Sequence, residues 1–281
     1  MFRGKKITVF GGSGFIGRNI VRELAQQGAW VTVGCRDVEG AKHLKVQGVV
    51  GQVTPVHVDV TKGDNIAAAL QGADMAINLC GILFESGRNR FDAVQGTAPG
   101  VIAAVKSAFP TATILRPSVV FGPDDDFFNR FGAMAEAISI LPLIGGGRTK
   151  FQPVYVDDVA RAAFVALTSD TAEGKTYELG GPTIYTLKEV MELVVAQTAR
   201  KCRMVEIPFW LASLKATFLE LLPTPPLTRD QVILLKSDNV VSEGAATLAD
   251  LGIKPTACEA ILPTYLDRFR PGGRYNRFRA A

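Results

Sequence analysis

The stretch Ile7-Thr8-Val9-Phe10-Gly11-Gly12-Ser13-Gly14-Phe15-Ile16-Gly17 decides the fold. Four apolar-rich residues lead directly into a glycine cluster, and Ile20, Val21 and Leu24 then repeat at helical spacing. Strand, glycine turn and helix in that order form a phosphate cradle. Gly11 permits the tight turn, Gly14 lets a pyrophosphate approach the backbone, and Gly17 lets the helix pack close to the strand. The helix N-terminus adds unpaired N–H groups and a partial positive charge. Gly11, Gly12, Ser13, Gly14, Phe15, Ile16 and Gly17 are therefore the candidate cofactor contacts.

Outward from the turn, short β-rich runs alternate with helical ones. Strands are expected at 7–10, 31–33, 53–58, 75–79, 113–120 and 176–179, and helices at 17–27, 66–70 and 157–168. That alternation indicates an α/β fold, a Rossmann-type doubly wound parallel sheet. The second strand ends Gly34-Cys35-Arg36-Asp37. Arg36 suits a forked pair with a 2′-phosphate and favours NADP, while the neighbouring Asp37 keeps NAD open. Asp59-Val60 closes the third strand, where the acid either reaches an adenine amino group or caps a turn.

The second half changes character. Thr186-Leu187-Lys188-Glu189 is a capping box opening a helix to about Arg200. Helical patterns at 209–221 and 228–236 flank Pro223-Thr224-Pro225-Pro226, and a last one spans 257–269. The expected organisation is a nucleotide-binding domain over 1–182, a mostly helical appendage over 183–266 to which 123–150 contributes, and a basic aromatic tail over 267–281. Residues 209–222 are apolar nearly all round, which suits either core packing or docking on a partner or membrane interface. Asp124-Asp125-Asp126 resembles a metal cluster but suits a helix cap near Phe127, and no metal site is expected.

Charge narrows the function classes. Of 31 basic and 27 acidic residues, the tail holds five arginines and Asp267, so 26 of each sign remain and the body is neutral. A neutral body excludes a nucleic-acid face spread over the fold. The tail is expected to be mobile and to meet an acidic protein surface or anionic lipid. Cysteines at 35, 80, 202 and 258 are too scattered for a disulfide framework or zinc site and read as free thiols. No leader or membrane span is expected: the most apolar stretch, 207–222, carries Lys215 and Glu220.

Three further blocks carry a family resemblance: Asn78-Leu79-Cys80-Gly81, Leu115-Arg116-Pro117-Ser118-Val119-Val120-Phe121-Gly122-Pro123, and Gly145-Gly146-Gly147-Arg148 leading to Tyr155-Val156-Asp157-Asp158-Val159. They resemble the extended or atypical branch of the short-chain dehydrogenase/reductases. With Phe127-Phe128-Asn129-Arg130-Phe131 and Leu141-Pro142-Leu143-Ile144-Gly145, the chain is similar to the dehydrogenase-like accessory subunit (alpha subcomplex subunit nine) family of respiratory complex I. The resemblance implies a tightly held NADPH, with Cys80, Gly81 and Pro117 also against the nucleotide. It further implies other complex I subunits as partners and a structural role on the peripheral arm near the quinone end. The place would be the cytoplasmic face of a bacterial inner membrane or the mitochondrial matrix side.

Active members of that superfamily use a Tyr-x-x-x-Lys pair, in which lysine lowers the tyrosine pKa for proton transfer. None of the tyrosines 155, 177, 185, 265 and 275 has lysine four residues on, so no catalytic residue is assigned. Only residues 82–112 separate Gly81 from Thr113, room for a loop and one helix. The family's fifth strand and tyrosine helix are therefore missing. Loss of an interior strand would leave two unpaired sheet edges, so a stretch absent from the sequence near Gly100–Ala104 is the favoured explanation over a natural loss. Two other functions fit the same residues: a free-standing NADP-dependent reductase or epimerase whose catalytic stretch is absent, or a regulator that binds NADP(H) and signals through a partner.

Overall fold

The computed structural model describes residues 2–60, 62–80, 107, 109–220 and 227–273. They form two compact units. The first takes residues up to Arg116, Val156–Tyr177 and Asp250–Ile253, and the second takes Pro117–Tyr155, Glu178–Ala249 and Lys254 onward.

In the first unit β1 (Lys6–Phe10) is followed by helix α1 (Phe15–Gln26), β2 (Trp30–Cys35), β3 (Val53–His57), helix α2 (Ile66–Leu70) and β4 (Met75–Asn78). All pairings in the four-stranded sheet are parallel, in the order β3-β2-β1-β4. Central β1 is buried from Ile7 to Phe10, Thr8 included, because both its faces are covered, and Ile7 and Val9 are fully buried. Gly17, Ile20, Val21, Leu24 and Ala25 form the buried stripe of α1 at i, i+3, i+4, i+7 and i+8. Ile20, Val21, Leu24 and Ala25 share one core with Val31, Val33, Leu44 and Val53, and with Ala160 and Ala163 from the helix Val156–Thr168. That helix carries Asp157 and Asp158 in its first turn, where acids suit the helix dipole. Asp157 also accepts from Arg22 of α1 at 2.6 Å.

The expected strand over 113–120 is two short ones. Ile114–Pro117, β5, pairs with Thr176–Leu179, and Val120–Phe121 pairs in parallel with Val154–Tyr155. Ile114 N–H donates to Lys175 and Ser118 N–H to Leu179, the constant offset of a parallel ladder. Beyond Ser118 the chain changes partner, and Val154 N–H donates to Val119.

The second unit contains the helices Phe128–Ala137, Leu187–Thr198, Phe209–Leu219, Arg229–Leu234 and Cys258–Tyr265. It is less purely helical than the sequence suggests. Ile140–Ile144 runs parallel to Arg203–Ile207, and Lys150–Phe151 pairs antiparallel with Tyr185–Thr186. Pro142 hides the first of these strands from a reading by propensity, because proline lacks a ladder donor. The capping box is formed: Thr186 Oγ1 accepts from Glu189 N–H at 3.2 Å, and Glu189 accepts from Thr186 N–H at 2.7 Å. A second box, Thr228 with Gln231, opens the helix Arg229–Leu234 and was legible as Thr-x-x-Gln.

The tail departs from expectation over its first residues. Leu266–Phe269 is a 3-10 turn with Leu266, Asp267 and Phe269 buried. Phe269 fills the space a side chain on Gly132 would need. Arg270 donates to the Gln197 carbonyl at 2.7 Å, so this arginine ties the turn down. Aromatic packing on a glycine face outweighs the local charge; residues 274–281 lie outside the described residues.

Candidate functional site

The glycine turn crosses the carboxyl ends of β1, β2 and β4, where open parallel sheets bind their ligands. Gly11 has φ +74°, and a Cβ there would stand 3.1 Å from the Leu79 carbonyl at the end of β4. Its N–H donates to the Gly34 carbonyl of β2 at 3.0 Å, locking the turn to the neighbouring strand. Gly12 faces the core, where a Cβ would meet Val33 at 2.9 Å. Gly17 has the least room: its Cβ would lie 2.4 Å from the Gly11 carbonyl oxygen.

Gly14 is different. A Cβ there meets only the Gly11 oxygen, at 3.3 Å, with its outer side open. Gly14 caps α1 without a side-chain hydrogen bond, and no acid lies in the first turn. The N–H groups of that turn therefore face solvent beside Ser13 and Gly14, both exposed, with Phe15 and Ile16 half-buried. An open backbone position at a helix N-terminus lacking its own anion fits a pyrophosphate.

Arg36 is exposed at the end of β2. Asp37 is exposed as well, and one of its carboxylate oxygens accepts from Gly40 N–H at 2.9 Å at the start of the 3-10 segment Gly40–Gln47. Asp59 lies in a tight turn, bridged to Asp64 through backbone bonds and 3.6 Å from Lys62 Nζ. Of its two roles, the structure displays the turn. Val60 is half-buried beside it. Cys80 follows β4, its N–H donating to Asn78 Oδ1 at 3.1 Å. Burial pushes its thiol up from the usual range, and the nearby Arg36 charge opposes this. The turn, Arg36, Asp59, Val60 and Cys80 thus belong to one unit, whereas Pro117 belongs to the other. Gly81 lies outside the described residues.

The described tyrosines are engaged elsewhere. Tyr177 is buried in the first unit. In the second, Tyr155 packs on Phe121, Tyr185 donates to Glu259 at 2.7 Å, and Tyr265 donates to Asp125 at 2.6 Å. Burial raises the Tyr185 and Tyr265 hydroxyls above the ordinary tyrosine range, opposite to what a proton-transfer tyrosine needs. Cys35, Cys80, Cys202 and Cys258 are free thiols. Burial pushes Cys258 to about 12, so it is inert at neutral pH. Among the described residues no cluster of His, Cys, Asp or Glu could hold a metal ion.

Residues 8–110 match the 3-beta hydroxysteroid dehydrogenase/isomerase family and residues 100–180 the NAD dependent epimerase/dehydratase family. The chain is 34% identical over 314 residues to NADH dehydrogenase (ubiquinone) 1 alpha subcomplex subunit 9, mitochondrial, of Arabidopsis thaliana, covering 95% of this chain and 78% of that one. The chain belongs to the alpha subcomplex subunit 9 family. The mouse family member is 30% identical over 295 residues, covering 91% of this chain and 78% of its own. The Neurospora crassa NADH-ubiquinone oxidoreductase 40 kDa subunit is 28% identical over 310 residues, covering 97% and 82%. Two solved structures share the fold of this subunit 9 family chain. One is a UDP-N-acetylglucosamine 4-epimerase from Methanobrevibacter ruminantium bound to UDP-N-acetylmuramic acid (TM-score 0.65, 14% identity, 94% and 97% covered). The other is a dTDP-glucose 4,6-dehydratase from Bacillus anthracis in complex with NAD (TM-score 0.60, 15% identity, 94% of each chain). Both show that the chain has a Rossmann-type fold.

Proposed function

We propose that this chain is a non-catalytic, NADPH-holding accessory subunit of a respiratory NADH:quinone oxidoreductase. Its partners are the other subunits of that complex, and it stabilises the peripheral arm near the quinone end, as the family resemblance implies. The position is peripheral to the inner membrane, on the cytoplasmic or matrix side; among the described residues no helix is long and apolar enough to cross a membrane.

One observation carries the reading. The phosphate cradle at Gly11–Gly17 is sterically complete, while the chain has no Tyr-x-x-x-Lys pair and its described tyrosines sit in packing roles. A protein that needs the nucleotide only as a structural element keeps the first and dispenses with the second. Arg36 and Asp37 are both exposed at the end of β2, and Arg36 suits a forked pair with a 2′-phosphate, which favours NADPH in this reading. Bound nicotinamide nucleotide would supply hydride chemistry; here Gly11–Gly17 and Arg36 bind and orient it.

The test is a blue-native gel of solubilised membranes followed by nucleotide extraction from the excised band. The expected result is co-migration with a large membrane complex and recovery of NADP(H) that an Arg36→Ala strain lacks. A small soluble species, or steady hydride transfer to small carbonyls by the purified chain, would overturn the reading.

A further inference from the structure

The turn from Gly48 to Gln52, which leads into β3, is held in one conformation from inside. Gln52 is buried, and its amide donates to the Ala25 and Ala29 carbonyls at 2.7 and 2.9 Å. The same amide accepts from Val49 N–H at 2.8 Å, and Gln52 N–H donates to the Val49 carbonyl at 3.0 Å. Val31 N–H donates to the Gln52 carbonyl at 2.8 Å. A buried amide with all these partners ties the turn to the end of α1 and the start of β2.

What this pinned turn displays is apolar. Val50 is fully exposed, Val49 is 71% and Val46 86% exposed, and Trp30 is 48% exposed. The Trp30 ring stands 3.9 Å from where a Cβ on Gly51 would be, so ring and turn form one raised surface. Turn centres favour residues that set a backbone angle or bond to the backbone, and valine does neither. Val31 and Val53, a few residues away, are buried in the core. The outward valines therefore add nothing to this unit's own packing.

Trp30 and Val53 open β2 and β3, so the surface lies at the amino ends of the parallel strands. The glycine turn crosses their carboxyl ends, and the chain leaves β4 at the carboxyl end too. Charge indicates what covers the surface. Arg3 lies beside Gly28, in the turn that leads to Trp30, and Lys45 precedes Val46. Both are exposed, and neither has an ion-pair partner among the described residues. Lys42 is paired with Glu39, and Lys5 and Lys6 reach toward Asp74 and Gly72 on the β4 side. Two open cations suit the polar rim of a protein interface, whereas a segment held by anionic lipid carries about four to eight.

We propose that Trp30, Val46, Val49 and Val50 form a docking ridge for another protein chain, one that presents an apolar pocket edged by carboxylates. The choice of occupant rests on the reading of this chain as a subunit of a larger assembly, and the ridge adds where and by what chemistry one contact is made. Trp30 is the aromatic anchor, the valine turn fills the pocket, and Arg3 and Lys45 meet the carboxylates. Nucleotide and partner are then held at opposite ends of one sheet, so a change in the ridge leaves the cradle intact.

A photo-crosslinking residue, p-benzoylphenylalanine, placed at Val50 in cells that assemble the native complex tests this. The expected result is a crosslink to a different protein, at a peptide with Asp or Glu beside the attachment point. Attachment only to lipid, only to a second copy of this chain, or to nothing overturns the proposal. A protein crosslink found in a small soluble species supports the ridge and defeats the respiratory-complex reading, so the two failures are distinguishable. The double variant Val49→Glu, Val50→Glu is expected to lower the fraction migrating with the partner by ~10-fold or more, while Val50→Ile retains it. Urea midpoint and bound nucleotide should match the wild type in both. Unchanged co-migration of the double variant would also overturn the proposal.

Discussion

The carbonyl oxygen of Gly11 lies 2.4 Å from where a Cβ on Gly17 would stand. The two glycines are six residues apart and hold the turn against the first helical turn of α1, so the cradle is built by contact between glycine backbones. Gly14, between them, opens outward and is spared for the ligand.

Substituting these glycines should therefore separate fold from ligand. Gly17→Ala must move backbone and is expected to cost about 1–3 kcal/mol of stability, by the usual cost of overpacking. Gly14→Ala should leave the urea midpoint within error and weaken nucleotide binding. Equilibrium unfolding and nucleotide titration of both variants check the pair; equal loss of stability in the two would be the contrary result.

Arg36→Ala should lower NADPH affinity by ~10–100-fold, the range of a charge-assisted forked hydrogen bond, and leave NADH affinity nearly unchanged. Calorimetric titration with each nucleotide reads the ratio. Equal weakening of both would mean that Arg36 does not meet a 2′-phosphate.

Tyr265→Phe removes the donor that reaches buried Asp125 at 2.6 Å. Asp125 also accepts from the Gly122 and Asn129 N–H groups, and burial raises its pKa against those bonds. Losing one partner of a buried carboxylate is expected to cost about 1–3 kcal/mol. Urea unfolding monitored by far-UV circular dichroism measures it.

Acid should destabilise the protein partly through Asp74 and Glu189. Asp74 accepts from Lys5 Nζ and Lys6 N–H, and Glu189 from Thr186 N–H and its hydroxyl, and these bonds hold both carboxyls below their usual range. A depressed folded-state pKa contributes stability above the unfolded value and loses it as pH falls through the folded one. Stability should therefore decline as pH drops from about 5 toward 3, and Glu189→Gln should make the decline shallower. Both groups are exposed, so the change is small and is read as a shift in urea midpoint between pH 6 and pH 3.

The helix Phe209–Leu219 should split by face. Ala212 and Ala216 are buried, while Trp210, Leu214 and Phe218 are exposed at i, i+4 and i+8. Leu214→Ser is expected to stay within ~0.5 kcal/mol of wild type, and Ala216→Leu to cost about 1–3 kcal/mol. Thermal melts of the two variants provide the comparison.

The first unit was largely legible. Its strands are short apolar runs beside helical stripes, and the local pattern at Ile7–Phe10 or Ile20–Leu24 already states which side is buried. The second unit was legible where a cap marks it, at Thr186 and Glu189, and obscure where pairing is non-local. Ile140–Ile144 and Arg203–Ile207 pair at an offset of 63 residues and read weakly alone. The tail's expected mobility fails at Phe269, because its burial depends on a distant glycine, Gly132.

The sequence by itself determined the parallel α/β plan, the position of the cradle and the absence of a Tyr-x-x-x-Lys pair. These are matters of residue type at fixed local spacing, which the chain carries wherever it folds. Only the tertiary structure decided what the acid at the end of β2 bonds to, which glycine is spared for a ligand, and which strands pair. Asp37 accepts from Gly40, Gly12 faces Val33, and β4 pairs with β1 along the register Ile7 to Met75. Each depends on what stands opposite a group in space, and close packing and hydrogen-bond pairing settle that only once distant segments have met.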